Sequence, residues 1–146
     1  MKIRNIALTM SLVLTAGASF AADKDLVKYR ENSMEIIGGH MGSIVAIVKG
    51  EVPYSDDLVY HAEGLAAAAP LVIPVFKTEA MTDKSEALPA IWKDWEKFEQ
   101  AALKLEETSG ALAAAAKTGN MAAIGAALGD VGKSCKGCHD DFTDEH

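Results

Sequence analysis

Residues 121–142 read MAAIGAALGDVGKSCKGCHDDF, and this stretch decides the fold. Its apolar residues recur at alternating steps of three and four, a period typical of an amphipathic α-helix. Asn120 precedes the stretch and can cap the helix, because its side-chain oxygen can accept hydrogen bonds from the first free N–H groups. The predicted packing face includes both cysteines of the chain and comprises Met121, Ile124, Leu128, Val131, Cys135, Cys138 and Phe142.

The rest of the chain predicts three more helices, over about 24–49, from 55 to about 70–74, and over about 89–116. Alanine runs recur and β-branched runs are scarce, which favours helix over sheet. The interval 75–88 has no apolar period and is expected to form a surface crossover. Four helices with mostly short connections pack best as an antiparallel up-down-up-down bundle, so we predict one all-α domain.

The first 21 residues have the composition of a signal peptide. Lys2 and Arg4 precede an apolar run over residues 6–14, and small residues lead to a cleavage point after Ala21. This run is too short for a stable membrane anchor, although a retained anchor is the alternative interpretation. We therefore expect a mature chain of residues 22–146, exported to the periplasm and free of the membrane.

The expected mature chain is acidic. The full sequence carries 14 basic and 21 acidic side chains, a net charge of −7. Cleavage removes two basic residues and no acidic one, which leaves 12 against 21 and a net charge of −9. Such a charge argues against nucleic acid and anionic membranes as partners, and it favours a soluble carrier that docks on basic redox proteins.

The motif Cys135-Lys136-Gly137-Cys138-His139 carries the chemistry. C-x-x-C-H is the attachment motif of c-type haem, and residues at i, i+3 and i+4 share one helix face. Two thioethers at Cys135 and Cys138 would hold one covalent haem c, while His139 would coordinate the iron as proximal ligand. Export agrees with this reading, because c-type haem is attached outside the bacterial cytoplasm.

The two cysteines have three alternative uses. A thiol-disulfide oxidoreductase can use C-x-x-C, but its motif normally sits at a strand-to-helix turn, and nothing here supplies strands. A disulfide between Cys135 and Cys138 would be strained within a helix. Zinc would need more thiolates or a suitably spaced histidine pair, and His40, His61 and His146 form none in the sequence.

The haem motif and several local matches make the chain similar to class II cytochromes c, the cytochrome c′ family. The matches lie at Val27-Lys28-Tyr29-Arg30, Val48-Lys49-Gly50-Glu51 with Pro53-Tyr54, Ile91-Trp92, and residues 129–134 ahead of the motif. The resemblance covers most of residues 24–143 and implies a four-helix bundle with haem near the C-terminus. It also allows a homodimer packed through the first two helices. The family often has a basic residue four positions after the proximal histidine, where this chain has Thr143.

The first helix is expected to cover the distal side of the haem. Its inward stripe is interpreted as Leu26, Arg30, Met34, Ile37, Met41, Ile44 or Val45, and Val48. The resemblance assigns Arg30 to a haem propionate and Met34 to the distal face. Alternatively, Arg30 snorkels to solvent. Met34 either packs over a five-coordinate iron or binds it as a sixth ligand.

These residues predict a non-enzymatic haem protein for electron transfer, for binding of small gases such as NO and CO, or for both. Arg30 favours the five-coordinate, gas-binding form. The alternatives are a six-coordinate, low-spin His/Met electron carrier and, from another class, a thiol-disulfide oxidoreductase using Cys135 and Cys138. His40 and His61 are interpreted as surface residues rather than ligands.

Overall fold

The computed structural model describes residues 16–144, with side chains from residue 23 onward. The predicted signal peptide lies outside the residues whose side chains are described, as does His146. No strand occurs between residues 16 and 144, where the only β pairing is an isolated bridge between Ala87 and Thr143. The predicted all-α class is therefore confirmed.

Four long helical segments form the antiparallel bundle. The second segment runs almost continuously from Ser55 to Phe76; it begins with a short 3-10 turn at Ser55–Asp57 and contains another at Ala69–Leu71. The α-helices are α1 Ala16–Val48, α2 Leu58–Ala68, α3 Val72–Phe76, α4 Ala90–Lys93, α5 Trp95–Thr118 and α6 Met121–Phe142.

The run from Ser55 to Phe76 is long and apolar enough to cross a membrane by length and composition alone. In the bundle, however, α2 packs on both α1 and α5, and α5 packs on α6. A helix with partners on two sides needs a wide apolar surface. The inward residues of α2 are Leu58, Ala62, Leu65 and Ala68.

The third predicted helix is broken near its start. Pro89 precedes the single turn α4, and Asp94 then leaves the helical conformation with φ −128° and ψ 60°. The Asp94 carboxylate accepts a hydrogen bond from the Lys97 N–H at 3.4 Å. Aspartate is favoured at such an N-terminal cap, and α5 therefore begins at Trp95 rather than at Pro89.

The start of α6 agrees with the sequence prediction. Asn120 accepts hydrogen bonds from the N–H groups of Ala122 at 3.0 Å and Ala123 at 3.2 Å. Gly119 before it has φ 67°, a left-handed conformation that glycine adopts without steric cost and that ends α5. Cap and glycine together fix the turn that reverses the chain between α5 and α6.

The core follows the predicted stripes with two exceptions. On α6, Ile124, Val131 and Phe142 are buried, but Met121 is 51% exposed because it begins the helix at the bundle end. On α1, Leu26 is 39% exposed and Val27 is buried instead. The inward stripe of α1 therefore starts one residue later than predicted.

Candidate haem-binding site

A cavity of about 760 Å³ lies between α1, α5 and α6. Val72 and Phe76 of α3, residues 84–87 of the crossover and Thr143 complete its wall. Its volume falls within the roughly 300–1,000 Å³ of ligand and cofactor pockets. The main groups from the sequence analysis all line it: Cys135, Cys138 and His139 from α6, and Arg30 and Met34 from α1.

The α6 wall carries Cys135, Cys138 and His139 on one helix face. All three are partly buried, and both cysteines are free thiols. All three residues line the same cavity, because residues spaced i, i+3 and i+4 lie on one face of a helix. The sequence prediction that these three side chains share one site therefore agrees with their placement.

The two thiols lie in an environment that disfavours the thiolate. Burial raises the pKa of Cys135, and burial together with negative charge from Cys135 and Asp141 raises the pKa of Cys138 to about 11. Both residues also lie in the C-terminal half of α6, away from the helix N-terminus that lowers the pKa of redox-active thiols. The arrangement therefore lacks the activated thiolate of a thiol-disulfide oxidoreductase.

The α1 wall combines apolar side chains with the charged groups of Arg30, Glu31 and Glu35. Val27, Met34, Ile37 and Met41 line the cavity, with Met34 and Met41 partly buried. Methionine fits irregular gaps and offers a weakly coordinating thioether. His139 is the one histidine among the described lining residues, so α1 contributes no imidazole to this cavity.

Arg30 is 3% exposed and does not snorkel to solvent. Three of its nitrogen atoms donate to backbone carbonyl oxygens 45 to 50 residues along the chain, so the side chain ties α1 to the end of α3 and the crossover. The acceptors are Ala80 at 2.9 Å, Thr78 at 3.2 Å and Val75 at 3.4 Å.

Two aromatic rings complete the surroundings of the Arg30 guanidinium. Its central carbon lies 4.5 Å from the ring centre of Phe76 and 5.2 Å from that of Trp92. Burial lowers the pKa of Arg30, although a guanidinium keeps its charge in proteins. Because the group has five N–H donors and the three carbonyls use one each, two donors remain for a further acceptor in the cavity.

The crossover is fixed to the end of α6. The Leu88 N–H donates to the Phe142 carbonyl oxygen at 2.9 Å, and the Asp144 N–H donates to that of Glu86 at 2.8 Å. The predicted surface crossover is thus also a wall of the cavity. Thr143 joins this wall, and its N–H donates to the His139 carbonyl oxygen at 3.1 Å.

Comparisons with known proteins agree with this geometry. The family model described as cytochrome C' matches residues 25–143. The chain belongs to the cytochrome c′ family. It is 37% identical over 130 residues to cytochrome c′ of Rubrivivax gelatinosus, a match that covers 86% of this chain and 99% of that protein.

Solved structures give the same result. Cytochrome c prime from Shewanella frigidimarina has a TM-score of 0.79 and 30% sequence identity, covering 84% of this chain and 97% of that one. A nitric oxide complex of a variant cytochrome c prime from Alcaligenes xylosoxidans has a TM-score of 0.75 and 33% identity, covering 85% and 97%. The four-helix bundle is therefore shared with cytochrome c′ structures.

Haem c is the cofactor of the cytochrome c′ family, and the cavity described above fits it. Two free thiols and an imidazole project from one helix into a largely apolar cavity. Arg30 and Lys84 are the arginine and lysine side chains among the described lining residues, so the lining offers two cations to carboxylate groups of a cofactor. The predicted cofactor is thus confirmed at the level of the family.

Sequence reasoning missed one cluster of side chains. His40 on α1 and His61 on α2 were interpreted as separate surface residues, yet their Nδ1 atoms lie 3.1 Å apart. Both residues are partly buried. No short sequence spacing links them, since they meet only through the packing of two helices.

Proposed function

We propose that this cytochrome c′ binds small uncharged gases such as NO and CO at its haem iron and exchanges electrons there. One observation carries the proposal: a single, mainly apolar cavity gathers Cys135, Cys138 and His139 opposite Met34 and Arg30. When bound, haem supplies an iron centre for one-electron transfer and for a diatomic ligand. The protein side chains hold it and control access to it.

Cys135 and Cys138 attach the haem through thioethers, and His139 is the proximal iron ligand. Their common helix face and their shared cavity support these roles. The raised pKa values of both thiols favour this use over catalysis by a thiolate. The protein therefore acts as a carrier or gas-binding protein and turns over no substrate.

Met34 covers the distal face without binding the iron. Met34, Ile37 and Met41 of the α1 wall offer no hydrogen-bond donor, so a polar or anionic ligand beside them would lose hydration without gaining a hydrogen bond. Small uncharged gases lose little on entry. The nitric oxide complex of the Alcaligenes xylosoxidans relative supports a gas as ligand. The second candidate is a six-coordinate electron carrier in which the Met34 sulfur binds iron.

Arg30 binds a haem propionate through the two guanidinium N–H groups that do not donate to backbone carbonyls. Its buried charge needs an anionic partner, because a buried cation is costly without one. The same side chain ties Val75, Thr78 and Ala80 to α1. Haem binding and the shape of the crossover are therefore coupled through one guanidinium.

The mature protein works in the periplasm and pairs with itself. Its N-terminal sequence has the composition of a signal peptide, and its acidic charge favours docking on basic redox partners.

The homodimer is supported by an exposed face of α1. This face carries Leu26, Tyr29 and Ile36, with exposed fractions of 39%, 61% and 52%. An exposed apolar stripe of this kind is typical of an interface, and it supports a homodimer through α1 and α2.

Carbon monoxide titration of the ferrous, haem-loaded protein tests the proposed function. We expect saturable binding of one CO per haem, while the ferric protein takes up fluoride only weakly. A denaturing gel stained for haem gives the matching control, because covalent haem stays with the chain. A chain without covalent haem would refute the haem assignment, and one with haem that refuses CO would refute gas binding.

A further inference from the structure

His40 and His61 form a cluster that the proposed function does not use. They lie on α1 and α2, and neither lines the haem cavity. Their ring centres are 5.4 Å apart and their Nδ1 atoms 3.1 Å apart. The ring of Tyr60 lies 5.4 Å from His61 and 6.1 Å from His40, centre to centre.

The α2 backbone leaves a space for the His40 ring at Gly64. A Cβ at this position would lie 2.3 Å from Cε1 and 2.6 Å from Nε2 of His40, far inside van der Waals contact. The imidazole therefore occupies the space that any other residue type at position 64 would fill. This close fit fixes the ring of His40 beside His61.

We propose that His40 and His61 bind one divalent transition-metal ion of the class that prefers imidazole, such as Zn²⁺, Cu²⁺ or Ni²⁺. Two imidazole nitrogens at zinc bonding distance and a tetrahedral angle are about 3.3 Å apart. The observed 3.1 Å between the Nδ1 atoms agrees with this separation.

The surroundings of the pair disfavour a proton on His40. Burial and the neighbouring His61 both lower the pKa of His40, so its ring tends to stay neutral. A neutral imidazole is the form that binds metal. Without a metal, one Nδ1–H can donate to the other Nδ1, and this hydrogen bond is the competing arrangement.

The protein supplies two ligands to the site. Among the described residues, no third histidine, cysteine or carboxylate joins the pair to complete a ligand group. Water would fill the remaining coordination positions. Two nitrogen ligands do not select Mg²⁺ or Ca²⁺, which prefer oxygen. A bound ion would join α1 to α2 and stabilise the folded protein.

Calorimetric titration of the haem-loaded mature protein with ZnCl₂ tests the proposal. We expect one zinc per chain, and His40→Gln and His61→Gln should each weaken the affinity by about tenfold or more. His146→Gln is the matched control, because it removes another histidine and should leave the affinity unchanged. The haem spectrum of each variant reports whether the bundle is intact.

Gly64→Ala is a second test of the proposed metal site. The new methyl group should displace the His40 ring and weaken zinc binding while both histidines remain. Zinc should also raise the Tm of the wild type and of His146→Gln, but not that of His40→Gln. The proposal is refuted if the wild type binds no zinc, if either histidine variant keeps the wild-type affinity, or if the stoichiometry is half an ion per chain.

Discussion

In the proposed function, the thioether of Met34 controls which ligands the iron accepts. Met34 is partly buried and lines the cavity from α1, opposite the haem motif of α6. If it only covers the ring, an incoming gas must push it aside. If it binds iron, the gas must displace it. The two states differ in spin and in gas binding rather than in fold.

Met34→Ala should open the distal face. We expect the association rate of CO to rise about tenfold, which corresponds to removing about 1.4 kcal/mol from the barrier. Stopped-flow mixing of the ferrous protein with CO measures the rate. Met41→Ala, which removes a methionine two turns further along α1, is the control and should change the rate much less. Conversion of a low-spin to a high-spin spectrum in Met34→Ala would instead identify Met34 as a ligand.

Arg30→Leu should lower both the free energy of unfolding and the reduction potential of the haem. Three backbone carbonyls lose their donor, so we expect the free energy of unfolding to fall by about 2–4 kcal/mol. Loss of the positive charge should also lower the reduction potential, because a nearby cation favours the reduced haem. Chemical denaturation and a redox titration measure the two effects.

Arg30→Lys separates charge from geometry. An ammonium group keeps the charge but cannot reproduce the planar fork that reaches three carbonyls. We expect the reduction potential of Arg30→Lys to stay close to that of the wild type. The free energy of unfolding should fall nearly as far as in Arg30→Leu. An unchanged potential in Arg30→Leu would argue against a propionate partner.

The sequence predicted the side chains of this site better than their contacts. Cys135, Cys138 and His139 lie within five residues, so helix periodicity alone places them together. Arg30 was placed on the inward stripe of the first helix, but its acceptors at Val75 and Ala80 lie 45 and 50 residues away. Contacts of that separation depend on tertiary packing and leave no local pattern.

The cap of α6 can be changed without touching the cavity. Asn120→Ala removes two hydrogen bonds at the first turn of α6 and should cost about 1 kcal/mol, lowering the Tm by about 4 °C. The haem spectrum should stay the same, because Asn120 lies at the opposite end of α6 from His139. Thermal unfolding measures the change. Asn120→Ser, which keeps a capping oxygen, should recover most of the stability.

Helix boundaries show where sequence patterns fail at the scale of an element. The second helix was expected to stop near the prolines at 70 and 74, yet helical structure continues to Phe76 through a 3-10 turn at Ala69–Leu71. Pro70 lies in the first turn of that short segment, where its missing N–H is tolerated. The break at Asp94 was missed because aspartate inside an apolar period gives only a weak signal for a cap.

At the scale of the whole molecule, the exposed face of α1 predicts self-association. Ile36→Glu places a charge in the proposed interface and should convert a dimer to a monomer. Leu103→Glu is the matched control, because Leu103 is also about half exposed but lies on α5. Sedimentation equilibrium measures the mass of each variant. A wild-type monomer, or a dimer that survives Ile36→Glu, would contradict an interface on this face.

The visible absorption spectrum of the ferrous protein, before and after CO, shows whether Met34 binds the iron. A haem bound by His139, with Met34 only covering its distal face, should give a high-spin, five-coordinate spectrum that changes completely on addition of CO. A fully low-spin spectrum that CO leaves unchanged would contradict this arrangement, because Met34 would then be a strong iron ligand and electron transfer would be the function.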